Sequence, residues 1–79
     1  MKRDRIKIIA EILQVARNGV KKTRIMYQCN LSYLQTKKFL NFLLETGFLR
    51  IGNSYHTTEK GFRFLQTYRT LELLLNRKN

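Results

Sequence analysis

The stretch that decides the fold is NLSYLQTKKFLNFLLETG, residues 30–47. Ser32 and Gln35 have the spacing of a capping box, in which each side chain bonds the backbone amide of the other residue at the start of a helix. Gly47 supplies the left-handed residue with which helices commonly end. These signals predict a helix that begins at Ser32 and runs to about Thr46.

The predicted helix has a polar outward side and an apolar core side. At about 100° per residue, Gln35 and Lys38 point outward, flanked by Leu34. Phe42 projects outward too, and we expect the following hairpin to cover it together with Phe39. The core side is formed by Tyr33, Thr36, Leu40, Leu43, Leu44 and Gly47.

A short helix is predicted before this one. Thr23 has the side chain of a helix N-cap, and RIMYQC follows it at residues 24–29. Asn30 and Leu31 then form a turn. Two helices joined by a short turn, with the second helix polar at its start, are typical of the helix-turn-helix. In that motif the first turns of the second helix enter the major groove of DNA.

The segments on either side complete the architecture. Residues 48–57, FLRI-GN-SYHT, predict a β-hairpin with a two-residue turn at Gly52 and Asn53. Thr58 is expected to cap a last helix that ends near Leu75 or Asn76. Apolar residues at helical spacing predict a first helix over 4–17, stopped by Asn18 and Gly19, and a short extended segment follows at residues 20–22.

The predicted fold is therefore mainly α with a small β-hairpin, a winged helix-turn-helix with an extended C-terminal helix. We assign residues 1–57 to the winged core, with the helix-turn-helix at 23–46 and the wing at 48–57. We assign residues 58–79 to the segment of the C-terminal helix, which we expect to be the dimerisation element.

The charge of the chain indicates a polyanionic partner. Sixteen Lys and Arg residues against five Asp and Glu residues give a net charge of +11. So positive a surface favours double-stranded DNA, with an anionic membrane or an acidic protein as the alternatives. Lys2, Arg3 and Arg5 suggest an N-terminal arm. The candidate DNA-binding residues are Lys21, Lys22, Arg24, Ser32, Tyr33, Gln35, Lys37, Lys38, Arg50 and Asn53.

Each of these residue types has a reason to be at a DNA surface. Gln35 can pair with adenine through two hydrogen bonds, and Lys38 can reach guanine acceptors or phosphate. Hydroxyls at a helix start, as at Ser32 and Tyr33, often reach phosphate. Lys21, Lys22 and Arg24 cluster where amide groups at the start of a helix also attract phosphate.

Other classes of function find little support in the sequence. No nucleophile stands with a plausible base, and the acids are scattered, so we do not expect an enzyme, a cofactor or a small-molecule ligand. Cys29 is the only cysteine and is expected to be buried, and His56 is expected to point to solvent rather than bind a metal. We find no signal peptide and no membrane span, and expect a cytoplasmic, nucleoid-associated protein.

The last helix has the spacing of a pairing element. Phe64, Tyr68, Leu71 and Leu75 step by 4, 3 and 4, as at the seam of a coiled coil. We expect these residues to pair two copies of the chain antiparallel, with DNA half-sites about 34 Å apart. The alternative is that the helix folds back over its own domain.

Two motifs resemble a known family. KTRIMYQCNLSYLQTKKFLNFLLETGFL at residues 22–49 and YHTTEKGFRFL at residues 55–65 resemble the small basic winged-helix proteins of archaea of the Sulfolobus 10a type. The resemblance spans residues 6–75 and implies a chromatin-associated DNA binder, dimeric through its last helix and without a cofactor. The chain departs from that pattern at Thr36, where a bulky apolar residue is expected, and its last helix is short.

Two other functions stay open on the sequence alone. The winged fold could serve as a protein-interaction module that docks an acidic partner such as a transcription or replication factor. Binding of single strands or RNA is a further possibility, against which the scarcity of clearly exposed aromatic residues argues. A transcriptional regulator and an architectural protein are not separated by the residues.

Overall fold

The computed structural model describes residues 4–76 of the chain. Its elements are α1 (Arg5–Val15), α2 (Lys22–Gln28), α3 (Tyr33–Thr46), β1 (Leu49–Ile51), β2 (Tyr55–Thr57) and α4 (Glu59–Leu75). The predicted fold class is confirmed, because a helix-turn-helix is followed by a hairpin and a last helix. Lys2 and Arg3 of the predicted N-terminal arm lie outside the described residues.

Helix α1 begins as predicted and ends early. An Oδ1 atom of Asp4 accepts a hydrogen bond from the Lys7 amide at 2.8 Å, which caps the helix. The helix ends at Val15 rather than Arg17, and Gly19 then takes the left-handed conformation at φ 92°. The buried residues of α1 and its end are Ile9, Ala10, Ile12, Leu13 and Ala16.

Helix α2 differs from the prediction at its start. Its N-cap is Lys21, which forms no side-chain capping bond, so the prediction that Thr23 caps the helix is wrong. The helix begins two residues earlier because the Lys21 carbonyl already accepts bonds from the amides of Arg24 and Ile25. The predicted turn is confirmed at Asn30, which has φ 55°.

The capping box of α3 is confirmed. The Gln35 amide donates to Ser32 Oγ at 3.1 Å, and the Ser32 amide donates to Gln35 Oε1 at 3.0 Å. Gly47 ends the helix at φ 82°. Tyr33, predicted on the core side, is instead 57% exposed. It is the first residue of α3, and helical side chains lean toward the N-terminus, which takes its ring beyond the core.

Thr36 is buried without an unsatisfied polar atom. Its hydroxyl donates to the Ser32 carbonyl at 2.8 Å, inside the same helix. The methyl group and the backbone of Thr36 are left to pack in the core beside Leu40 and Leu43, which are also buried. A threonine therefore fits where a larger apolar residue was expected, because its polar atom bonds locally.

The wing is a hairpin with a longer loop than predicted. Ile51 pairs with Tyr55, so Gly52, Asn53 and Ser54 all lie in the loop, and the Gly52 amide donates to the Ser54 carbonyl at 3.0 Å. The predicted two-residue turn is wrong because Ser54 does not join the strand. Of the short extended segment predicted at 20–22, only Val20 pairs with the sheet, through an antiparallel bridge to Tyr55.

The root of the wing is bonded to the end of α1. The Thr57 hydroxyl donates to the Leu13 carbonyl at 2.7 Å, and its amide donates to the Ala16 carbonyl at 3.1 Å. The hairpin is thus bonded to α1 as well as contacting α3. Phe42, which we expected the hairpin to cover, remains 39% exposed, while Phe39 is half-buried.

Helix α4 starts at the predicted cap and packs on the core by its first half. Thr58 Oγ1 accepts from the Gly61 amide at 3.1 Å. A side chain at Gly61 would collide with the Phe48 carbonyl, since a Cβ atom there would lie 2.3 Å from that oxygen. The Phe48 and Phe64 rings lie 5.1 Å apart, and Leu65 is buried. Only glycine therefore lets α4 approach the residues before β1 this closely.

Candidate nucleic-acid interface

Within residues 4–76, most of the net positive charge lies in the middle of the chain. Between Ile12 and Thr58 there are seven Lys and Arg residues and one acid, Glu45. This segment forms α2, α3 and the wing, and Glu45 lies in the last turn of α3. The first turns of α3 are therefore surrounded by cationic groups, as a surface for a polyanion requires.

The start of α2 is joined to the tip of the wing. The Lys21 Nζ atom donates to the Asn53 carbonyl at 2.8 Å, across 32 residues of sequence. A cleft of about 340 Å³ opens beside this bond, lined by residues of the α1–α2 loop, the start of α2 and the wing loop. Its lining residues are Gly19, Val20, Lys21, Thr23, Arg24 and Ser54.

The start of α2 also meets the start of α3. The Lys22 Nζ atom lies over the Tyr33 ring, 5.1 Å from its centroid, in a cation–π contact. A contact of this kind holds the ammonium group near the first turn of α3 without neutralising its charge. The start of α2 therefore contacts the wing loop through Lys21 and the start of α3 through Lys22.

The capping box limits what Gln35 can offer a base. Its Oε1 atom already accepts the Ser32 amide, so only the NH₂ group is free to donate. Pairing with adenine by two hydrogen bonds would require the same oxygen to accept a second bond while it caps the helix. The Ser32 oxygen accepts the Gln35 amide, and its hydroxyl hydrogen can still be donated to a phosphate.

The remaining candidate residues are at the surface. Lys37 and Lys38 are exposed in the second turn of α3, and Arg24 is exposed in α2. Arg50 is exposed in β1, where it faces His56 across the hairpin. The structure ties Lys21, Lys22, Tyr33 and Asn53 to one another by direct contacts, whereas no such contact joins Arg50 to them.

Three residues on this surface escaped the sequence analysis. Tyr27 is 77% exposed in the last turn of α2. Leu34, 59% exposed, was noted only as a neighbour of Gln35, and Asn41 is exposed one turn beyond Lys38. The helical wheel places Leu34 and Asn41 outward, and asparagine, like glutamine, can pair with adenine, so Asn41 could have been found from its residue type.

A second groove lies between α1, α4 and the end of α2. It encloses about 460 Å³, and its lining includes Glu11, Cys29, Leu65, Tyr68 and Glu72. Burial raises the pKa of Tyr68, and the carboxylate of Glu72, which accepts from its hydroxyl at 3.4 Å, raises this pKa further. The carboxylates of Asp4 and Glu11 act in the same direction. The basic residues Lys7 and Arg69 line the same groove, so both signs of charge meet there.

The residues predicted to form the seam of a coiled coil fall into two sets. Phe64 and Tyr68 are half-buried and pack on the core of their own domain. Leu71 and Leu75 are exposed, and Leu75 retains 82% of its accessible surface. Leu73 and Leu74 are exposed beside them. The distal leucines, Leu71, Leu73, Leu74 and Leu75, are therefore left uncovered by their own domain, as is Phe62 in the first turn of α4.

Within residues 4–76, no group of three or more His, Cys, Asp and Glu side chains is placed to hold a metal ion. Cys29 is buried, as predicted, and the His56 ring lies against Gly19. None of the helices in the described part of the chain has the length and apolar character needed to cross a membrane.

Comparison with known proteins identifies the family. A family model described as winged helix-turn-helix matches residues 2–76. The chain belongs to the winged helix-turn-helix family. The fold expected from the resemblance to the Sulfolobus 10a type is confirmed by a structural neighbour. The crystal structure of Sso10a-2, a DNA-binding protein from Sulfolobus solfataricus, superposes with a TM-score of 0.73 over 98% of this chain and 100% of that one, at 24% identity.

Two relatives come from Methanocaldococcus jannaschii. The uncharacterized protein MJ0287 is 33% identical over 79 residues, which are 98% of this winged helix-turn-helix chain and 81% of MJ0287. The uncharacterized protein MJ0290 is 40% identical over 68 residues, which are 84% of this chain. The chain spans only 32% of the length of MJ0290, so that protein contains much beyond the shared winged helix.

Proposed function

We propose that this protein binds double-stranded DNA. In this proposal the first turns of α3 enter the major groove, where Lys38 and the NH₂ group of Gln35 reach base edges. Lys21, Lys22 and Arg24 contact phosphates on one side, and Arg50 with the wing loop contacts them on the other. The Ser32 hydroxyl, the Tyr33 hydroxyl and Lys37 bond phosphates near the helix start.

One observation carries the proposal. The exposed start of α3 lies within a segment that holds seven basic residues and one acid, in a winged helix-turn-helix. Displacement of counterions from the phosphates by these cations would supply most of the binding free energy. The DNA-binding neighbour with the same fold gives the proposal further support.

We also propose that two copies pair through the distal leucines of α4. An apolar patch at the end of a helix that projects from its domain is typical of an interaction site. Closed two-fold dimers are the commonest small assemblies, and a dimer would present two copies of α3 to the same duplex. Such a protein could act as a transcriptional regulator or as an architectural protein of the nucleoid.

The test is a titration of labelled duplex DNA with the protein at several salt concentrations. We expect log K to fall linearly with log salt, by about 0.9 for each phosphate neutralised. Lys38→Gln should lower both the affinity and the slope. Arg63→Gln is the matched control, because it removes the same charge from α4, where Arg63 pairs with Glu59 at 3.7 Å.

The two variants separate a defined interface from a diffuse attraction. Equal losses in Lys38→Gln and Arg63→Gln would show that only net charge matters, and would remove α3 from the interface. An affinity that does not change with salt would contradict DNA binding altogether. Selection of bound fragments from random duplexes then distinguishes a regulator, which enriches a palindrome, from an architectural protein, which enriches none.

A further inference from the structure

The outward side of α3 carries exposed apolar residues as well as polar ones. Leu34 and Phe42 lie opposite the buried Thr36, Leu40 and Leu43 on the helix, and they are 59% and 39% exposed. Lys38 lies between them along the same side. This apolar strip, Leu34 and Phe42, is on the side of α3 that faces the groove in the proposed complex.

Phe42 forms part of a shallow cleft of about 240 Å³ with a cationic rim. The apolar wall consists of Phe39 and Phe42, and the rim consists of Arg5, Gln35 and Lys38. Arg5 belongs to α1, so two elements build the cleft. Positive groups around an apolar floor suit a ligand that has an apolar group next to anionic ones.

The hydrogen bonds that Gln35 and Lys38 can offer discriminate poorly between bases. The Oε1 atom of Gln35 is turned toward the Ser32 amide, so its NH₂ group is the more accessible end of the side chain. Lys38 offers donors only, and acceptors are present on three of the four bases in the major groove. A strong preference among base pairs would therefore have to come from another side chain, such as the exposed Asn41, or from another kind of contact.

The major groove presents one apolar group, the C5 methyl of thymine. We propose that the apolar strip recognises thymine methyl groups, so that Leu34 and Phe42 give the protein a preference for thymine-containing major grooves. The phosphates on either side of the thymine supply the negative charge that Arg5 and Lys38 match. This inference rests on the proposed DNA binding and adds the base that the site prefers.

The test changes only the methyl groups. Binding of the full chain is measured on a thymine-containing duplex and on the same duplex with every thymine replaced by uracil. Burial of one methyl group corresponds to roughly a three- to fourfold change in Kd. We expect the uracil duplex to bind about three- to tenfold more weakly. A G·C duplex in which cytosine is replaced by 5-methylcytosine should gain affinity by a similar factor.

Variants of the apolar strip test whether Leu34 and Phe42 cause the preference for thymine over uracil. Leu34→Ala and Phe42→Ala should each reduce the ratio of thymine to uracil affinity, and the double variant should bring it close to one while keeping salt-dependent duplex binding. Phe62→Ala is the matched control, because Phe62 is 40% exposed on α4 and should leave the ratio unchanged. Circular dichroism verifies that each variant is folded.

The outcomes are distinct from those for DNA binding itself. Equal affinity of the wild type for thymine and uracil duplexes, with salt-dependent binding intact, would overturn the inference and leave the proposed function standing. A ratio that persists in the double variant would overturn it as well. The comparison of the two duplexes, and the test with 5-methylcytosine, need only the wild-type protein, so misfolding of a variant cannot leave the inference untested.

Discussion

Lys21 and Asn53 join the start of α2 to the tip of the wing, because the Lys21 Nζ atom donates to the Asn53 carbonyl at 2.8 Å. This bond fixes the wing loop from outside the hairpin. Lys21 therefore has a structural role besides its charge, whereas its neighbour Lys22 contacts Tyr33 of α3.

The roles of Lys21 and Lys22 can be distinguished by experiment. Lys21→Met should speed hydrogen exchange at the amides of Gly52, Asn53 and Ser54, because the loop loses its outside bond. Lys22→Met removes the same charge and should leave exchange in this loop unchanged. Global stability should change by less than about 1 kcal/mol in Lys21→Met, since the bond is exposed. Equal exchange in the two variants would show that Lys21 does not hold the wing.

Ser32 allows stability and DNA binding to be tested independently. Ser32→Ala removes the N-cap acceptor of α3 and should cost about 1 kcal/mol in the free energy of unfolding. Ser32→Asp keeps an acceptor and should retain most of that stability, but its charge repels phosphate, so the duplex affinity should fall. Urea denaturation and duplex titration measure the two effects. If Ser32→Asp bound duplex as tightly as the wild type, Ser32 would not face the DNA backbone.

Tyr68 should make the fold sensitive to alkali. Burial, and then Glu72, raise the pKa of Tyr68 above its ordinary value of 10.0. The folded chain therefore holds this proton at a pH where the unfolded chain has lost it. Its contribution to stability is complete below about pH 10 and is lost as the pH rises through the folded pKa.

Urea denaturation between about pH 8 and pH 11 measures this contribution. Tyr68→Phe should show a shallower loss of unfolding free energy above pH 10 than the wild type. Tyr27→Phe, a change at an exposed tyrosine of α2, is the control and should keep the wild-type steepness. If the unfolding free energy of Tyr68→Phe and of the wild type fell equally steeply above pH 10, a group other than Tyr68 would cause the loss.

The distal leucines predict self-association that depends on them. Analytical ultracentrifugation should show the wild type moving toward twice the chain mass of 9.5 kDa as its concentration rises. Leu71→Ser with Leu75→Ser should keep the protein monomeric without unfolding it, because both residues are exposed. Ile6→Ser, at an exposed residue of α1, should still associate. A wild type that stays monomeric at high concentration would rule out pairing through α4.

The elements that could be predicted were those whose signals are local. The Ser32–Gln35 capping box and the left-handed Gly47 depend on a few neighbouring residues, so α3 was placed correctly. The start of α2 was missed because Lys21 caps it with backbone groups alone. The wing loop was misjudged because strand pairing, which the sequence does not display, leaves Ser54 outside β2.

The candidate site was harder to predict, since it depends on how elements meet. Nothing in the sequence indicates that Lys21 reaches Asn53. The spacing of Phe64, Tyr68, Leu71 and Leu75 fits both packing within a chain and pairing between chains. The structure divides the set, because Phe64 and Tyr68 pack on their own core and the later leucines do not.

The uneven distribution of charge gives residues 4–76 an electric dipole moment. Outside residues 12–58, the four acids of this part nearly balance its five Lys and Arg residues, and three of these acids, Asp4, Glu11 and Glu72, act on Tyr68. Within residues 12–58, one acid is present beside seven Lys and Arg residues. In the field of a distant polyanion such a molecule experiences a torque, and it turns its cationic side forward before the first contact. A larger fraction of the collisions with the polyanion then occurs in an orientation that allows binding.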